Sequence, residues 1–352
     1  MGALKRDRMT KEERMIALLN RQPLDRVPVW GMMAGFAALN VGYTIADAYG
    51  RRGIEAVQWT AEQYGFQDVP IAGSLGVYEF GGEMSRPSGE FDQAPIVTRY
   101  PAATEEQARK LEVPDVRRAG LLPRCMETTK AMQRQGAEYL VLMLVGSWDM
   151  ASYICSLENV CRWAVRKPDL VHNVLRVSTD FLLQVARYWA DVIGPDRLII
   201  FSPHAQTSNH VVSPKMFQEF CLPYIKETHH RVLDMGYKHI LCHICGEHNL
   251  NLPFWAQIPM GEPGIVHFGH EVDLDVASKH FPSHILMGNV NTAVIQTGTP
   301  QQVYEMARAC IEKGRRHPGG YMLAPGCEMP PRAPPHNVWT MMKAISDFGW
   351  YE

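Results

Sequence analysis

The chain contains no run of about 18 apolar residues, the length that a membrane-spanning helix requires. Its first residues, MGALKRDRMTKEERM, are charged and lack the apolar core of a signal peptide. No long block of like charge occurs, and 35 Lys and Arg stand against 37 Asp and Glu. This balance gives no electrostatic reason to bind nucleic acid or an anionic membrane. We therefore expect a cytoplasmic protein that acts on neither.

Several other signatures are missing. The eight cysteines are scattered and lack the paired spacing of a zinc finger, so free thiols or metal ligands are expected rather than a disulfide framework. No G-x-G-x-x-G follows an early strand, which removes the common dinucleotide-binding pattern. There is no internal repeat and no low-complexity linker. Hydrophobic residues make up 46% of the 352 positions, which is enough for a sizeable core.

What the chain does have is an alternation of short apolar runs with amphipathic segments. Helix-starting boxes occur at Thr10, Thr104 and Thr299. Strands are predicted at 25–30, 137–144, 196–201, 238–244, 264–269, 284–290 and 320–326, and further helices at about 156–193, from Pro214 to about 235, and at 334–347. Alternating strands and helices predict a parallel α/β sheet. At this length we predict a (β/α)₈ TIM barrel, one domain over residues 1–352, with an N-terminal helical segment (1–24) packed on it.

In such a barrel the chemistry lies at the carboxyl ends of the strands. The stretch GYKHILCHICGEHN places His243 and Cys245 two positions apart after an apolar run. Side chains alternate along a strand, so these two share a face while Cys242 points the other way, which disfavours a Cys242–Cys245 redox pair. Cys327 follows the last apolar run. One His and two Cys suit a catalytic zinc with an open fourth position; a core His beside a core Cys is the alternative.

Several segments resemble the uroporphyrinogen decarboxylase superfamily, in its branch of zinc-dependent, corrinoid-linked methyltransferases. They are MTKEERMIALLNRQPLDRVPVW, VVSPKMFQEFCLPYIK, HICG, MGNV and YMLAPGCEMPPRAPPHN. The resemblance implies a (β/α)₈ barrel and a catalytic zinc held by His243, Cys245 and Cys327. Corrinoid-binding modules carry D-x-H-x-x-G, and the nearest match here, LCHICG, has Leu241 in place of Asp. The corrinoid is therefore expected on a separate partner protein.

One departure from the decarboxylases concerns the substrate. Those enzymes carry an Arg-rich loop after the first strand, whereas residues 30–38 here read WGMMAGFAA. A tetra-acidic porphyrinogen would find no cationic partner there, although Arg is the natural fork for carboxylates. We expect an uncharged or aromatic substrate bound by apolar strand-end residues, with ordinary core packing as the alternative for each. These residues are Trp30, Met33, Phe36, Trp148 and Phe201.

Three polar residues near predicted strand ends are candidate catalytic groups. His204 would donate a proton to a leaving oxygen, or be a hydrogen-bonded surface histidine. Glu271, or His270 beside it, would complete the zinc coordination of the resting enzyme. Asn289 would orient the substrate, or simply form a turn. The helical pair at 229–230 is expected on a solvent-exposed face.

We therefore expect a methyltransferase that moves a methyl group between a small molecule and the cobalt of a corrinoid protein. The favoured donor is an aromatic methyl ether, as in anaerobic O-demethylation. Zinc would be the Lewis acid that helps the phenolate to leave, because the corresponding phenol has a pKa near 10. The alternative is a zinc-bound thiolate that accepts the methyl group, as in coenzyme M methyltransferases. A porphyrinogen decarboxylase and a non-catalytic zinc-storing barrel are less favoured. The direction of transfer and a homodimer are left open.

Overall fold

The computed structural model describes residues 6–49, 51–67, 71–85, 94–137 and 139–352. Its strands are β1 Ile71–Ser74, β2 Glu83–Met84, β3 Val97–Arg99, β4 Leu140–Leu144, β5 Leu198–His204, β6 His239–Ile244, β7 Ile265–Phe268, β8 Ile285–Met287 and β9 Tyr321–Met322. Its helices are α1 Lys11–Leu19, α2 Ala34–Asn40, α3 Ile45–Ala48, α4 Arg51–Tyr64, α5 Glu105–Arg109, α6 Leu122–Arg134, α7 Ser147–Cys155, α8 Leu157–Arg166, α9 Pro168–Ile193, α10 Pro214–Met216, α11 Leu222–Asp234, α12 Leu252–Trp255, α13 Leu274–His280, α14 Thr292–Thr297, α15 Pro300–Gly314 and α16 Pro335–Phe348. A 3₁₀ turn at Pro195–Arg197 and a π-helical turn at Phe217–Cys221 join longer elements.

The main sheet is parallel. β1, β4, β5 and β6 pair in parallel with one another in that order, and β8 pairs in parallel with β9. Over the described residues the sheet order is β1-β4-β5-β6-β7-β8-β9, which is the order of the chain. Every residue of β6 and β7 is buried, as expected for parallel strands that read as continuous apolar runs. The α/β prediction is confirmed.

The chain divides into two compact units. The first comprises Met1–Pro70, Pro87–Ala94 and Val266–Glu352, and contains β8 and β9. The second comprises Ile71–Arg86 and Pro95–Ile265, and contains β1 to β6. In the described part of the chain, no helix combines the length and the apolar character needed to cross a bilayer. The prediction of one domain over residues 1–352 stays a prediction.

The three predicted helix-starting boxes are present. Thr10 precedes α1: its hydroxyl accepts from the Glu13 backbone N–H at 3.1 Å, and the Glu13 carboxylate accepts from the Thr10 N–H at 2.8 Å. Thr104 and Thr299 cap α5 and α15 in the same reciprocal way. Each box satisfies N–H groups that the first helical turn cannot pair internally. Local sequence therefore fixes where these helices begin.

A buried ion pair ties α1 to the segment that follows it. The Arg14 Nε donates to Asp25 Oδ1 at 2.7 Å and its Nη2 to Oδ2 at 2.9 Å. The backbone N–H groups of Arg8 and Met9 also donate to Oδ2. Burial alone would raise the pKa of Asp25, but the Arg14 guanidinium and these N–H groups hold it well below its usual range. Asp25 therefore stays ionised, and the N-terminal segment is anchored within the first unit.

Two predicted elements differ from the structure. The strand expected at 25–30 forms only isolated bridges, including Val29 with Leu323 and Trp30 with Gln67; Pro28 interrupts it because proline has no backbone N–H to donate. The helix expected at about 156–193 is two helices, α8 and α9. Lys167 lies between them outside the helical conformation, with a φ of −147°, because the residue before a proline disfavours that conformation, and Pro168 begins α9.

The helix predicted from Pro214 is also irregular. A π-helical turn at Phe217–Cys221 separates α10 from α11. Pro223 lies in the first turn of α11 and has no N–H for an ordinary backbone bond to the preceding turn. The sequence pattern alone did not predict β1 or the antiparallel pair β2–β3, which are short.

Candidate active site

In the second unit, β6 carries two soft metal-ligand side chains. His243 is 3% exposed and its ring stacks on Phe201 with the centroids 6.4 Å apart. Cys245 follows the strand directly, is partly buried, and its N–H donates to the His204 carbonyl at 3.4 Å, which continues the pairing with β5. Alternation puts Cys242 on the opposite face. Burial raises the pKa of the Cys242 thiol, so this residue is an inert core cysteine.

In the first unit, Cys327 follows β9 after a turn that neighbouring strands hold in place. The Gly326 N–H donates to the Val290 carbonyl at 2.7 Å, and the His267 Nε2 donates to the Pro325 carbonyl at 2.8 Å. Cys327 itself is partly buried. The backbone that leads to this thiol is therefore held in place by a side chain of β7 and by the segment that follows β8. Its position after the last strand agrees with the prediction.

His204 ends β5 and is only 1% exposed, so the expectation of a surface histidine is wrong. The Nε2 lies 3.0 Å from the Ser202 hydroxyl. Burial, together with the neighbouring imidazoles of His229, His248 and His243, lowers the pKa of His204 well below its usual value. The ring is therefore neutral. Its role as a proton donor to a leaving oxygen stays a prediction.

The other candidate polar residues lie in the first unit. The His270 Nδ1 is 3.4 Å from Glu271 Oε2, with side chains 42% and 30% exposed. The Asn289 amide donates to the Gly269 carbonyl at 3.0 Å and to the Val272 carbonyl at 2.6 Å. Both amide hydrogens of Asn289 are thus used to hold the loop after β7. The proposed roles of Glu271 as a zinc ligand and of Asn289 in orienting substrate stay predictions.

The predicted substrate-binding residues are all buried. Exposures are 4% for Trp30, 4% for Met33 and 2% for Phe36 in the first unit, and 1% for Trp148 and 6% for Phe201 in the second. Phe36 packs edge-on against Tyr64, and Trp148 packs against Phe220. Core packing accounts for this burial equally well, so their contact with substrate stays a prediction.

Sequence reasoning missed a buried polar group in the second unit, here called the β5 cluster and defined as Asp149, Ser202, His204 and His229. Asp149 lies in the first turn of α7 and is 1% exposed. Its Oδ1 accepts from the backbone N–H groups of Ala205 at 2.7 Å and Gln206 at 2.9 Å. Burial raises the pKa of Asp149 to about 7, although these two N–H groups act in the opposite direction. A lone Asp within the apolar segment GSWDMASYI was the available signal.

His229 belongs to the same cluster, so the expected solvent exposure of the pair at 229–230 is wrong for this residue, which is 1% exposed. Its Nε2 is 3.1 Å from the Ser202 hydroxyl and its Nδ1 is 2.9 Å from the Pro259 carbonyl. Helical spacing from the buried Ile225 and Val232 was the signal that places it inward. The ligand atoms of His204, His229 and Cys242 lie within 4.8 Å of one another, yet the Ser202 hydroxyl already accounts for both Nε2 atoms.

These observations define the class of protein. It has a parallel α/β fold with polar side chains and soft metal ligands at the ends of its strands. The uroporphyrinogen decarboxylase (URO-D) family model matches residues 10–348, so the chain belongs to that family. The resemblance predicted from its motifs is confirmed.

Individual relatives are distant but extend over most of the chain. The methylcobamide:CoM methyltransferase MtbA of Methanosarcina acetivorans is 22% identical over 96% of this chain and 98% of its own. A methylated-thiol–coenzyme M methyltransferase of Methanosarcina mazei is 28% identical over 50% of this chain and 45% of its own. The solved structure of a methyltransferase from Methanosarcina mazei has a TM-score of 0.77 at 21% identity, covering 97% of this chain and 99% of that one. This likeness shows the fold, and the predicted (β/α)₈ TIM-barrel class is confirmed.

Proposed function

We propose that the protein is a zinc-dependent methyltransferase that exchanges a methyl group with the cobalt of a separate corrinoid protein. The observation that carries the proposal is the donor set of His243, Cys245 and Cys327, a group that could hold a metal ion and in which each residue offers one ligand atom. Similarity to MtbA along nearly the whole chain supports the same class of reaction. The family also contains decarboxylases, but residues 30–38 lack the arginines that a porphyrinogen would need.

The chemistry of the donor set fits zinc. One imidazole nitrogen and two thiolate sulfurs are its usual protein ligands, and three of them leave one position for water or substrate. When bound to such a set, zinc supplies Lewis-acid polarisation of an oxygen or lowers the pKa of a bound thiol. The two cysteines would act as thiolates and the histidine as a neutral imidazole. His243 and Cys245 would supply two donors from one strand end, and Cys327 would supply the third.

We further propose that the small-molecule partner is an aromatic methyl ether, which gives its methyl group to the corrinoid. The apolar residues Trp30, Met33 and Phe36 follow the first predicted strand and carry no charge. Apolar and aromatic side chains with few polar groups are the usual lining of a site for an uncharged ring. The phenolate that leaves must be stabilised, which favours a metal-assisted reaction over simple hydrolysis.

A second candidate is transfer of the methyl group from the corrinoid to a thiol. The names of the two curated relatives favour it, because both describe methyl transfer involving coenzyme M. In this direction the thiol must lose its proton, whereas the ether oxygen leaves as a phenolate. The two functions therefore differ in whether the site must remove a proton from a thiol or stabilise the negative charge on a leaving oxygen.

The zinc assignment is tested by the metal content of purified variants. We expect about one zinc per chain in the wild type and a large loss in Cys245→Ala and Cys327→Ala, since each removes one of three ligands. The matched control is Cys242→Ala, which removes a thiol from the same strand on the opposite face and should keep its zinc. Full zinc in both ligand variants would overturn the assignment.

The donor is tested by spectroscopy of the corrinoid. The protein is mixed with a corrinoid protein reduced to Co(I) and a panel of methoxyarenes, and we expect the absorbance of methylated cobalt to appear with at least one of them. No signal with any arene, together with methylation of a thiol by methylated corrinoid, would reject the ether and establish the second candidate.

A further inference from the structure

The hydrogen bonds of the β5 cluster determine which nitrogen carries each proton. The Nδ1 of His229 faces the Pro259 carbonyl, which can only accept, so this nitrogen carries the hydrogen. Burial lowers the pKa of His229 to about 4, so the ring is neutral and its Nε2 is an acceptor. The Ser202 hydroxyl therefore donates to His229 Nε2, and the Ser202 oxygen accepts from His204 Nε2–H.

This chain of donors leaves the His204 Nδ1 with a lone pair. That nitrogen is buried and has no hydrogen-bond partner within the described part of the chain. The same holds for Asp149 Oδ2, while Asp149 Oδ1 is occupied by two backbone N–H groups. A methyl group built on Gly146 would lie 2.4 Å from His204 Nδ1 and 3.1 Å from Asp149 Oδ2. Both unsatisfied atoms therefore line the same small space beside Gly146.

Two acceptors that share a buried space repel each other unless one of them bears a proton. We propose that Asp149 is a positioning residue that keeps its proton on Oδ2 and donates it as a hydrogen bond to His204 Nδ1 once the two side chains close the space beside Gly146; in this structure the two atoms face that space without being hydrogen-bonded to each other. The four side chains then form one continuous series from Asp149 through His204 and Ser202 to His229, which ends on the Pro259 carbonyl. Every donor in this series has an acceptor.

The surroundings of Asp149 favour the neutral acid. Among the described residues, the titratable groups near it are Tyr153 on the same helix, His204 on β5 and Cys221 in the π-helical turn. Burial raises the pKa of the Tyr153 hydroxyl and of the Cys221 thiol, and lowers that of His204. All three groups are uncharged near neutral pH, so none offers a buried carboxylate the positive charge that it would need.

The series acts on the proposed metal site through the backbone. The His204 carbonyl accepts from the Cys245 N–H, and Asp149 Oδ1 holds the two residues that follow His204. A shift of the His204 ring or of this loop would therefore move Cys245. This catalytic consequence rests on the proposed function, whereas the protonation of Asp149 does not.

The test compares Asp149→Asn with Asp149→Ala. The Asn amide carries both a carbonyl for the two backbone N–H groups and an N–H₂ that can replace the acid proton. We expect Asn to retain activity within about threefold of the wild type, and Ala to lose about tenfold or more, mainly in kcat. The wild-type rate should fall as the pH rises through about 7, and the Asn variant should lack that decline.

A readout that requires neither zinc nor corrinoid is the nitrogen NMR spectrum of ¹⁵N-histidine-labelled protein. We expect His204 to show a lone pair on Nδ1 and a hydrogen on Nε2 in both the wild type and the Asn variant. Gly146→Ala is a second variant, which serves if Asp149→Ala fails to fold. The φ of Gly146 is −59°, which alanine adopts readily, but the added methyl group would lie between the side chains of Asp149 and His204. We therefore expect it to perturb the signal of His204 Nδ1.

The proposal is overturned if His204 carries a hydrogen on Nδ1 at a pH below about 7, since Asp149 would then be the ionised acceptor where it is expected to be protonated. It is also overturned if Asn is as defective as Ala. Because the NMR readout is independent of methyl transfer, failure of the methyltransferase assays would leave this result standing.

Discussion

Asp25 and Asp149 are two buried carboxyl groups that reach opposite charge states. They are 2% and 1% exposed, and each accepts hydrogen bonds from backbone N–H groups. Asp25 also faces the guanidinium of Arg14 at 2.7 Å, and its pKa lies well below the usual range. Asp149 faces uncharged groups, and burial raises its pKa to about 7. Backbone N–H groups alone therefore do not keep a buried carboxylate ionised; a cation does.

The largest effect should come from removing the charge of Asp25. Asp25→Asn leaves the buried Arg14 with only the more exposed carboxylate of Asp7, at 3.4 Å, and loss of one partner of a buried ion pair destabilises a protein by about 3–5 kcal/mol. Urea unfolding measures the change. The control is Glu227→Gln, which breaks the more exposed pair with Arg176 and should cost about 1 kcal/mol or less. Equal losses in the two variants would show that burial of the pair does not matter.

A change in stability that is smaller for each pH unit should appear in the pH dependence of unfolding. The pKa of Asp149 is about 7 in the folded protein against an ordinary 3.8, so between these values the folded state binds more protons than the unfolded state. The contribution of Asp149 to the free energy of unfolding must therefore fall as the pH rises from about 4 to 7, by at most about 1.4 kcal/mol per pH unit. The Asn variant should lack this contribution.

The measurement is urea unfolding of the wild type and Asp149→Asn at several pH values, with the two curves subtracted. Asp25 works in the opposite sense: its folded pKa is depressed, so its contribution is present above about pH 4 and is lost as the pH falls further. The contribution of Asp25 is the same in the wild type and in Asp149→Asn, so it cancels when the two curves are subtracted. A difference that stays flat or increases with pH would contradict a neutral Asp149.

The smallest effect should come from a carboxylate that is exposed to solvent and accepts a backbone hydrogen bond. Glu13 is exposed and accepts from the Thr10 N–H at the start of α1. Glu13→Gln keeps an acceptor oxygen and removes only a charge near the helix N-terminus, so we expect a loss of about 0.5 kcal/mol. Thermal unfolding of the variant and the wild type measures this loss of stability. A loss as large as that of Asp25→Asn would contradict the expectation that buried, paired carboxylates contribute more to stability than exposed ones.

The fold was largely predictable because its signals are local. The capping boxes at Thr10, Thr104 and Thr299 each depend on four consecutive residues, and the apolar runs of β4 to β9 depend on six or so. The failures also have local causes. Pro28 breaks the expected first strand, and Pro168 divides the expected helix because the residue before it, Lys167, leaves the helical conformation.

The candidate site was only partly predictable. His243 and Cys245 could be assigned to one face because alternation is a property of any strand. The protonation state of Asp149 could not be predicted, since it depends on its burial and on the backbone N–H groups of Ala205 and Gln206, which are distant in sequence and which no spacing encodes. The burial of His229 was not predicted because it was grouped with the adjacent, exposed His230 as a polar pair. The apolar spacing of α11 places only His229 on the buried face.

The π-helical turn at Phe217–Cys221 has a consequence for how this segment tolerates changes in length. Such a turn accommodates one residue more than an ordinary α-helical turn without altering the phase of the helix that follows. A chain shortened by one residue at Gln218 therefore loses the extra residue of this turn and should still direct His229 inward, although Pro223 keeps one backbone hydrogen bond of the segment unmade. The same deletion inside α11, upstream of His229, would rotate the imidazole by about 100° around the helix axis and out of register with Ser202.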